Sequence, residues 1–245
     1  MRYKVVFSYK GTNFYGYQRQ PNLRTVQGEI EAALKYINNG KVVDFVSSGR
    51  TDRGVHAKAQ VGHFDMDIDV SCYKLKRAIN SNIGDDIHII SVEEVGNDFH
   101  ARFSTKKKKY VYRINLGEFD VFRKDDVYQY NRKLDVAKMK QGISYFIGKH
   151  NFRNFISDSV VKDSYEREVY EAYIEEDQDI LSFVFVGNGF MQYQVRNMVG
   201  TLMKVGKNKI EPKVIKNILD DSNYKNFVYC APPEGLCLEK VDYDI

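Results

Sequence analysis

Arg167–Gly187 reads REVYEAYIEEDQDILSFVFVG: two alternating runs on either side of Asp177-Gln178-Asp179. Alternation with a period of two marks strands that bury one face. The short acidic link between the runs is a hairpin signature. Working outward, Val136, Met139, Ile143 and Phe146 form a helical stripe from about Asp135 to Gly148. Before it, Lys109–Leu116 (KYVYRINL) alternates as a strand. After the hairpin, Val195, Met198, Val199, Leu202 and Val205 mark a helix. A further helix is predicted from Glu211 to Leu219, with Pro212 near its first turn, and Gly235–Tyr243 (GLCLEKVDY) closes the chain as a strand. Apart from that added helix the order is strand, helix, strand, strand, helix, strand, interrupted by a long charged and aromatic segment, Glu118 to Lys133, that reads as a loop.

The first half repeats the order. Tyr3–Tyr9 is rich in β-branched and aromatic residues. Thr25 is placed to cap a helix carrying Val26, Ile30, Ala33, Leu34 and Ile37, and Gly40 suits its end. Lys41–Ser48 and Ala59–Met66 read as strands, Ser71 caps a second helix with Leu75, Ala78, Ile79 and Ile83, and Asp86–Val95 is the last strand. The fold class is therefore α+β: two similar βαββαβ, ferredoxin-like halves with antiparallel sheets and helices on one face of each. The predicted division is 1–103 and 104–245, with a cleft between the halves.

A chain of 245 residues can bury a sizeable core. No apolar run approaches the ~18 residues of a membrane span. MRYKVVFSYKG, broken by Lys10, lacks the apolar core and cleavage site of a signal peptide, so a cytoplasmic location is expected. Cys72, Cys230 and Cys237 are odd in number and widely spaced, which indicates neither a disulfide framework nor a zinc ribbon. The net charge of +4 is mild. Its distribution is more pointed: Lys106, Lys107, Lys108 and Lys109 lead directly into Tyr110 and Tyr112. Cations beside aromatics suit a polyanion that carries flat bases, although a solvated strand end beside core rings has the same pattern.

Val46–Phe64, VSSGRTDRGVHAKAQVGHF, joins the two middle strands of the first half. Gly49 and Gly54 bracket Asp52, with Arg50 and Arg53 beside it. The glycines permit a tight loop that pushes one side chain outward, and the guanidiniums favour an ionised carboxylate. A hairpin turn with surface ion pairs is the plain alternative. His56 follows Asp52 by four residues, but the other histidines are scattered and no zinc-like ligand set forms, so no metal is expected. There is no G-x-S-x-G elbow, and Tyr9–Gly16 (YKGTNFYG) lacks the Lys-Ser/Thr ending of a P-loop. Arg196, at the start of an apolar helix in MQYQVRNMVG, needs a partner when buried. No acid in the second half is an obvious local partner, and pairing across the cleft with Asp52 would satisfy both groups.

These stretches together make the chain resemble the TruA family of tRNA pseudouridine synthases. The resemblance runs through FSYKGTNFYGYQRQP, GRTDRGVHAKAQVGHF, NDFHARFS, KKYVYRI, QVRNMVG and EGLCLEKVDY. It implies that Asp52 is the catalytic aspartate, Tyr110 the active-site tyrosine and Arg196 the arginine paired with the aspartate. It also implies that Leu238 lines the uracil site, and that Arg50 in the Asp52 loop holds the loop or the RNA backbone. Arg53 and Lys109 are further RNA-contact candidates. Tyr17 stands where relatives often carry Trp, Arg53 where a smaller residue or Lys is common, and Asn151 where relatives often carry Asp.

The implied reaction isomerises uridines 38, 39 and 40 of the anticodon arm. It needs no cofactor, and the family implies a homodimer that grips the tRNA. A carboxylate can act at the sugar as a nucleophile at C1′ or as a base at C2′. Two other readings compete. A non-catalytic RNA-binding protein of the same architecture leaves Asp52 without a purpose. A glycoside hydrolase wants a second acid, for which Asp65, Asp67 and Asp69 are the nearby candidates.

Overall fold

The period-two runs become strands and the 3.6-period stripes become helices in a computed structural model that describes residues 1–157, 161 and 163–243. In chain order the first part holds β1 (Arg2–Tyr9), α1 (Val26–Ile37), β2 (Val46–Ser47), β3 (His56–Asp65), α2 (Cys72–Asn80) and β4 (Ile87–Val95). Then come β5 (Thr105–Asn115), β6 (Tyr128–Gln129), α3 (Val136–Ile143), β7 (Gly148–Asn151), β8 (Glu166–Asp177) and β9 (Ile180–Gly187). The chain finishes with α4 (Gln194–Gly206), α5 (Val214–Asp220) and β10 (Leu236–Tyr243). The fold is mixed α+β, with five α-helices among the described residues. Among the described residues no helix is long and apolar enough to cross a membrane.

Two compact units form: Met1–Lys106 together with the C-terminal strand from Cys237 onward, and Lys107–Leu236. A division after residue 103 assigns the last strand to the second half. Instead Cys237 and Leu238 pair in parallel with His56 and Ala57 of β3, which ties that strand to the first unit.

In the first unit the strand order is β4-β1-β3-β10, with β2 also on β3. The β1–β3, β1–β4 and β2–β3 pairings are antiparallel. Alternate β1 residues Tyr3, Val5, Phe7 and Tyr9 are buried. Phe7 meets Phe45 edge-on at 5.5 Å. Gly62 lets the Phe45 ring settle on β3, since a Cβ there would stand 2.3 Å from Cζ. Thr25 Oγ1 accepts from Gly28 N at the start of α1, and Ser71 Oγ accepts from Lys74 N at the start of α2. Lys41–Ser48 is a strand only at Val46–Ser47, the two residues that pair with β3, while Val43 and Phe45 are buried with Asp44 exposed between them.

The other face of this sheet is polar and covered by residues 97–104. Arg2 makes a two-pronged pair with Asp65, Nε to Oδ1 and Nη2 to Oδ2, both 2.8 Å. Lys4 pairs with Glu93 at 2.8 Å beneath the rings of Phe99 and Tyr243. His63 Nδ1 accepts from Ala101 N at 3.2 Å, and Tyr243 donates to Ala101 O at 2.6 Å. Burial first, then the Arg2 charge, lowers the His63 pKa to about 4.

In the second unit the order is β5-β9-β8-β7, with β6 beside β5. Gln178, at φ 53, makes the turn between β8 and β9, where Asp177 pairs with Ile180. Phe146 packs edge-on to Phe155 at 5.2 Å and to Phe185 at 6.3 Å. The stripe predicted to run to Gly148 is helical only to Ile143, continues as a 3-10 turn through Phe146, and then enters β7. Glu118–Lys133 is not free loop throughout, since Tyr128 and Gln129 pair with Ile114 and Asn115.

His63 yields a pH prediction. It is neutral in the folded chain, with a pKa near 4, and ionises near 6.5 when unfolded. Its contribution is complete above pH 6.5 and is lost as the pH falls from 6.5 through 4. Urea unfolding of the parent should therefore show stability falling over that window. His63→Gln should show a shallower fall, and parallel curves would contradict the assignment.

Candidate active site

Asp52 lies in a loop clasped on three sides by the first unit's own framework. Thr51 is buried. Its hydroxyl is hydrogen-bonded to the Tyr9 hydroxyl at 2.9 Å, and its carbonyl accepts from Tyr17 N at 3.1 Å. Burial holds the Tyr9 phenol far above its usual range, so it stays protonated and the contact persists at neutral pH. Downstream, Val55 N donates to Asp52 O at 3.1 Å. His56 Nδ1 accepts from Gly11 N at 3.0 Å. Upstream, Gly49 O accepts from Ser47 Oγ at 2.8 Å and from Gln60 Nε2 at 3.2 Å.

The two bracketing glycines act differently. Gly54 takes a left-handed φ of +80°, as a tight turn requires, whereas Gly49 is absent from the positive-φ residues and contributes its carbonyl. The close approach comes from elsewhere: a Cβ on Gly11 would stand 2.1 Å from Val55 O. Gly16, at φ +91°, lies under the backbone of Thr51 to Arg53. Between these anchors Asp52 is half-buried. This is a scaffolded loop rather than a loose charged turn.

Arg50 is exposed, and Arg53 is exposed with its guanidinium 4.3 Å from the centroid of the Tyr15 ring. Leu238 is fully buried, opposite Ala57.

Tyr110 and Arg196 belong to the second unit. Tyr110, opposite Phe185 in register, is almost buried, with its ring edge-on to Phe190 at 5.4 Å. Tyr112 shares its face, is fully buried and donates to Pro232 O at 2.7 Å, so it is a framework residue. Lys109 sits opposite Val186 and is half-buried. Strand alternation sends Lys106 and Lys108 to one face and Lys107 and Lys109 to the other, so the four-lysine run is not one patch.

Arg196 is anchored locally, by groups that sequence spacing does not link to it. Its Nε donates to Ala231 O at 2.8 Å, and Ala231 N donates back to Arg196 O at 3.0 Å. Its guanidinium lies 5.1 Å from the Tyr193 ring centroid. Gly200 admits the chain that carries Ala231, since a Cβ there would meet Tyr229 O at 2.0 Å. Glu234 is the local acid the sequence reading did not find: burial raises its pKa, and the Arg196 charge pulls it back. Among the described residues no three of His, Cys, Asp and Glu gather as metal ligands.

Gly11→Ala tests the clasp. Overpacking of this kind costs about 1–3 kcal/mol. A urea midpoint equal to the parent's would show that Val55 is free to move and the loop is loosely held.

A family model described as tRNA pseudouridine synthase matches residues 5–104 and 143–244. A Listeria monocytogenes protein named tRNA pseudouridine synthase A is 45% identical over 246 residues, covering 99% of each chain. A Bacillus cereus protein named tRNA pseudouridine synthase A 1 is 43% identical over 244 residues, again covering 99% of each. Among solved structures, a Cbf5-Nop10-Gar1 complex aligns with 82% of this chain and 54% of its own at a TM-score of 0.37 and 15% identity, too slight a likeness to support an argument. Full-length similarity of this degree, with the matched residues spanning both the Asp52 loop and Arg196, places the chain in the tRNA pseudouridine synthase family.

Proposed function

We propose that Asp52, Tyr110 and Arg196 carry the isomerisation of a tRNA uridine in this chain, with uridines 38, 39 and 40 of the anticodon arm as targets. As a tRNA pseudouridine synthase the chain is an isomerase. The C1′–N1 bond breaks, the uracil turns, and C1′–C5 forms. C5 gives up a proton and N1 gains one, so nothing is supplied from outside and no cofactor is needed. The observation that carries the assignment is the clasped loop, which holds one half-buried carboxylate between fixed backbone anchors.

That carboxylate acts at the sugar, as nucleophile at C1′ or base at C2′. A base in a helical stem must leave its stack to be reached, so flipping is part of the reaction. Tyr110 is assigned to stack on the detached uracil and assist removal of the C5 proton. Arg196 is assigned the counter-charge to the carboxylate, and its anchoring by Ala231 suits a group that must not wander. Arg50, Arg53 and Lys109 are assigned to the RNA backbone. Leu238, being fully buried, is assigned to the packing that backs the uracil.

The βαββαβ plan belongs to the same proposal, as do a homodimer and a cytoplasmic location. In the first unit the antiparallel order β4-β1-β3-β2 supports the plan. In the second, β5, α3, β8, β9 and α4 follow in the corresponding order, with β5, β9 and β8 antiparallel neighbours.

Single-turnover assays on tRNA-bound variants test the roles. Asp52→Asn keeps size and hydrogen bonding but is a poor nucleophile and base, so it should fold, bind tRNA and form essentially no pseudouridine. A rate comparable to the parent's would remove Asp52 from the chemistry. Tyr110→Phe should slow turnover by ~10²–10⁴-fold with near-normal binding. A change of only a few-fold would reduce Tyr110 to stacking or packing.

A further inference from the structure

The second unit carries a group of cations with no assigned part in the isomerisation. Arg132 follows β6, while Lys207 and Lys209 follow α4. Both turns are held firmly. Tyr130 N and Asn131 N donate to Asn115 O at 3.1 and 2.9 Å, and the Asn131 side-chain amide donates to Gly117 O at 2.8 Å. Asn208 N donates to Val205 O at 2.9 Å, and Lys209 N to Lys204 O at 3.0 Å. Asn131 and Asn208 take left-handed φ of 56° and 55° at the two turns. Asp135 N donates to Gly206 O at 2.8 Å and ties the segments together.

Lys207 Nζ lies 4.7 Å from the centroid of the Tyr130 ring, which is 6.1 Å from that of Tyr128. Arg132 and Lys209 are exposed, and Lys207 is half-buried. Among the described residues none of these three cations makes an ion pair. Burial lowers the Lys207 pKa, and the neighbouring charges of Lys209 and Arg132 lower it further. The group is thus a standing like-charge repulsion.

Cations after a helix are ordinarily explained by the negative end of the helix dipole. That accounts for Lys207. It does not account for Arg132, which arrives from a different segment, nor for the aromatic seat under Lys207. An anion between the segments would relieve the repulsion. The position of the group narrows the choice of anion. β6 packs against the turn Pro233–Gly235. Tyr128 is within electrostatic reach of Glu234, and Glu234 of Arg196. The cation group is thereby joined through Tyr128 and the acid Glu234 to Arg196, and cations beside aromatic rings are the arrangement that tracks a nucleic-acid backbone.

We propose that Arg132, Lys207 and Lys209, with the Tyr130 ring beneath, form a subsite for backbone phosphates of the substrate RNA on the flank of the target uridine. This rests on the reading of the chain as a tRNA pseudouridine synthase. The subsite extends the grip on the tRNA beyond the reacting nucleotide and acts on affinity rather than on bond making.

The test is the salt dependence of tRNA binding between 50 and 200 mM KCl, with KM for pseudouridine formation measured alongside. The variants are Lys207→Gln/Lys209→Gln, Arg132→Gln and Lys207→Arg. A charge-matched control is Lys35→Gln/Lys41→Gln, on and just after α1, where both lysines are exposed. Each lost phosphate contact should flatten the slope of log K against log salt by roughly 0.7–0.9. The double variant should show that flattening with KM several-fold higher, Lys207→Arg should keep the parent slope, and the control should match the parent. Arg132→Gln gives the same reading should the double variant fold poorly. A parent-like slope and KM in both Arg132→Gln and the double variant would overturn the subsite. So would an equal loss in the control, which would show a net-charge effect only. A parent protein that forms no pseudouridine would overturn the functional reading itself, whereas an active parent with insensitive variants overturns the subsite alone.

Discussion

The burial of Thr51 is the constraint on which the candidate site depends. One residue before Asp52, the chain is held by its side chain to Tyr9 at 2.9 Å and by its carbonyl to Tyr17 at 3.1 Å. Tyr9 ends β1, which is paired on both edges, to β3 and to β4, so the loop inherits the rigidity of the core. Gly11 and His56 complete the clasp, and neither needs to touch a substrate to matter. A free Asp is already ionised at neutral pH, with a pKa of about 3.9, so charge is not what this framework adds. It adds position, and catalytic groups gain most from being held where they act.

The second unit offers a complementary design. Arg196 is tied at its side chain and at its backbone to the same residue, Ala231, and Gly200 is what allows that chain to approach α4. The cations around Tyr130 are instead presented from turns, Arg132 and Lys209 exposed and Lys207 half-buried, and they repel one another. A net charge of +4 conveys none of this. What bears on polyanion binding is three cations drawn together by two Asn turns, not the total.

Much of the architecture was legible in the residues. Periodicity located α1 to α5 and the long strands, Thr25 and Ser71 announced their caps, and Asp177-Gln178-Asp179 announced the β8–β9 turn. Lys41–Ser48 was over-read because Val43 and Phe45 alternate as a strand would, yet serve as core plugs of a loop. β7 and β6 were missed because two to four residues cannot establish a period. The pairing of the last strand with β3 joins residues far apart in the chain, and no local pattern encodes that. At the site, the motif residues stood out because unusual residue types clustered. Their supports did not: Tyr9, Gly11 and Ala231 look ordinary until the fold brings them to Thr51, Val55 and Arg196. The lysine run misled in the opposite sense, appearing as one patch in sequence and dividing between two faces on a strand.

Position can be separated from charge by Asp52→Glu, which keeps the carboxylate and moves it by one methylene. The measurement is release of tritium from tRNA carrying [5-³H]uridine, under single-turnover conditions with saturating enzyme. A misplacement of ~1 Å can cost ~10²-fold, so release should fall at least that far while tRNA affinity stays near the parent's. Release within a few-fold of the parent rate would contradict the claim that the clasped loop exists to place one carboxylate.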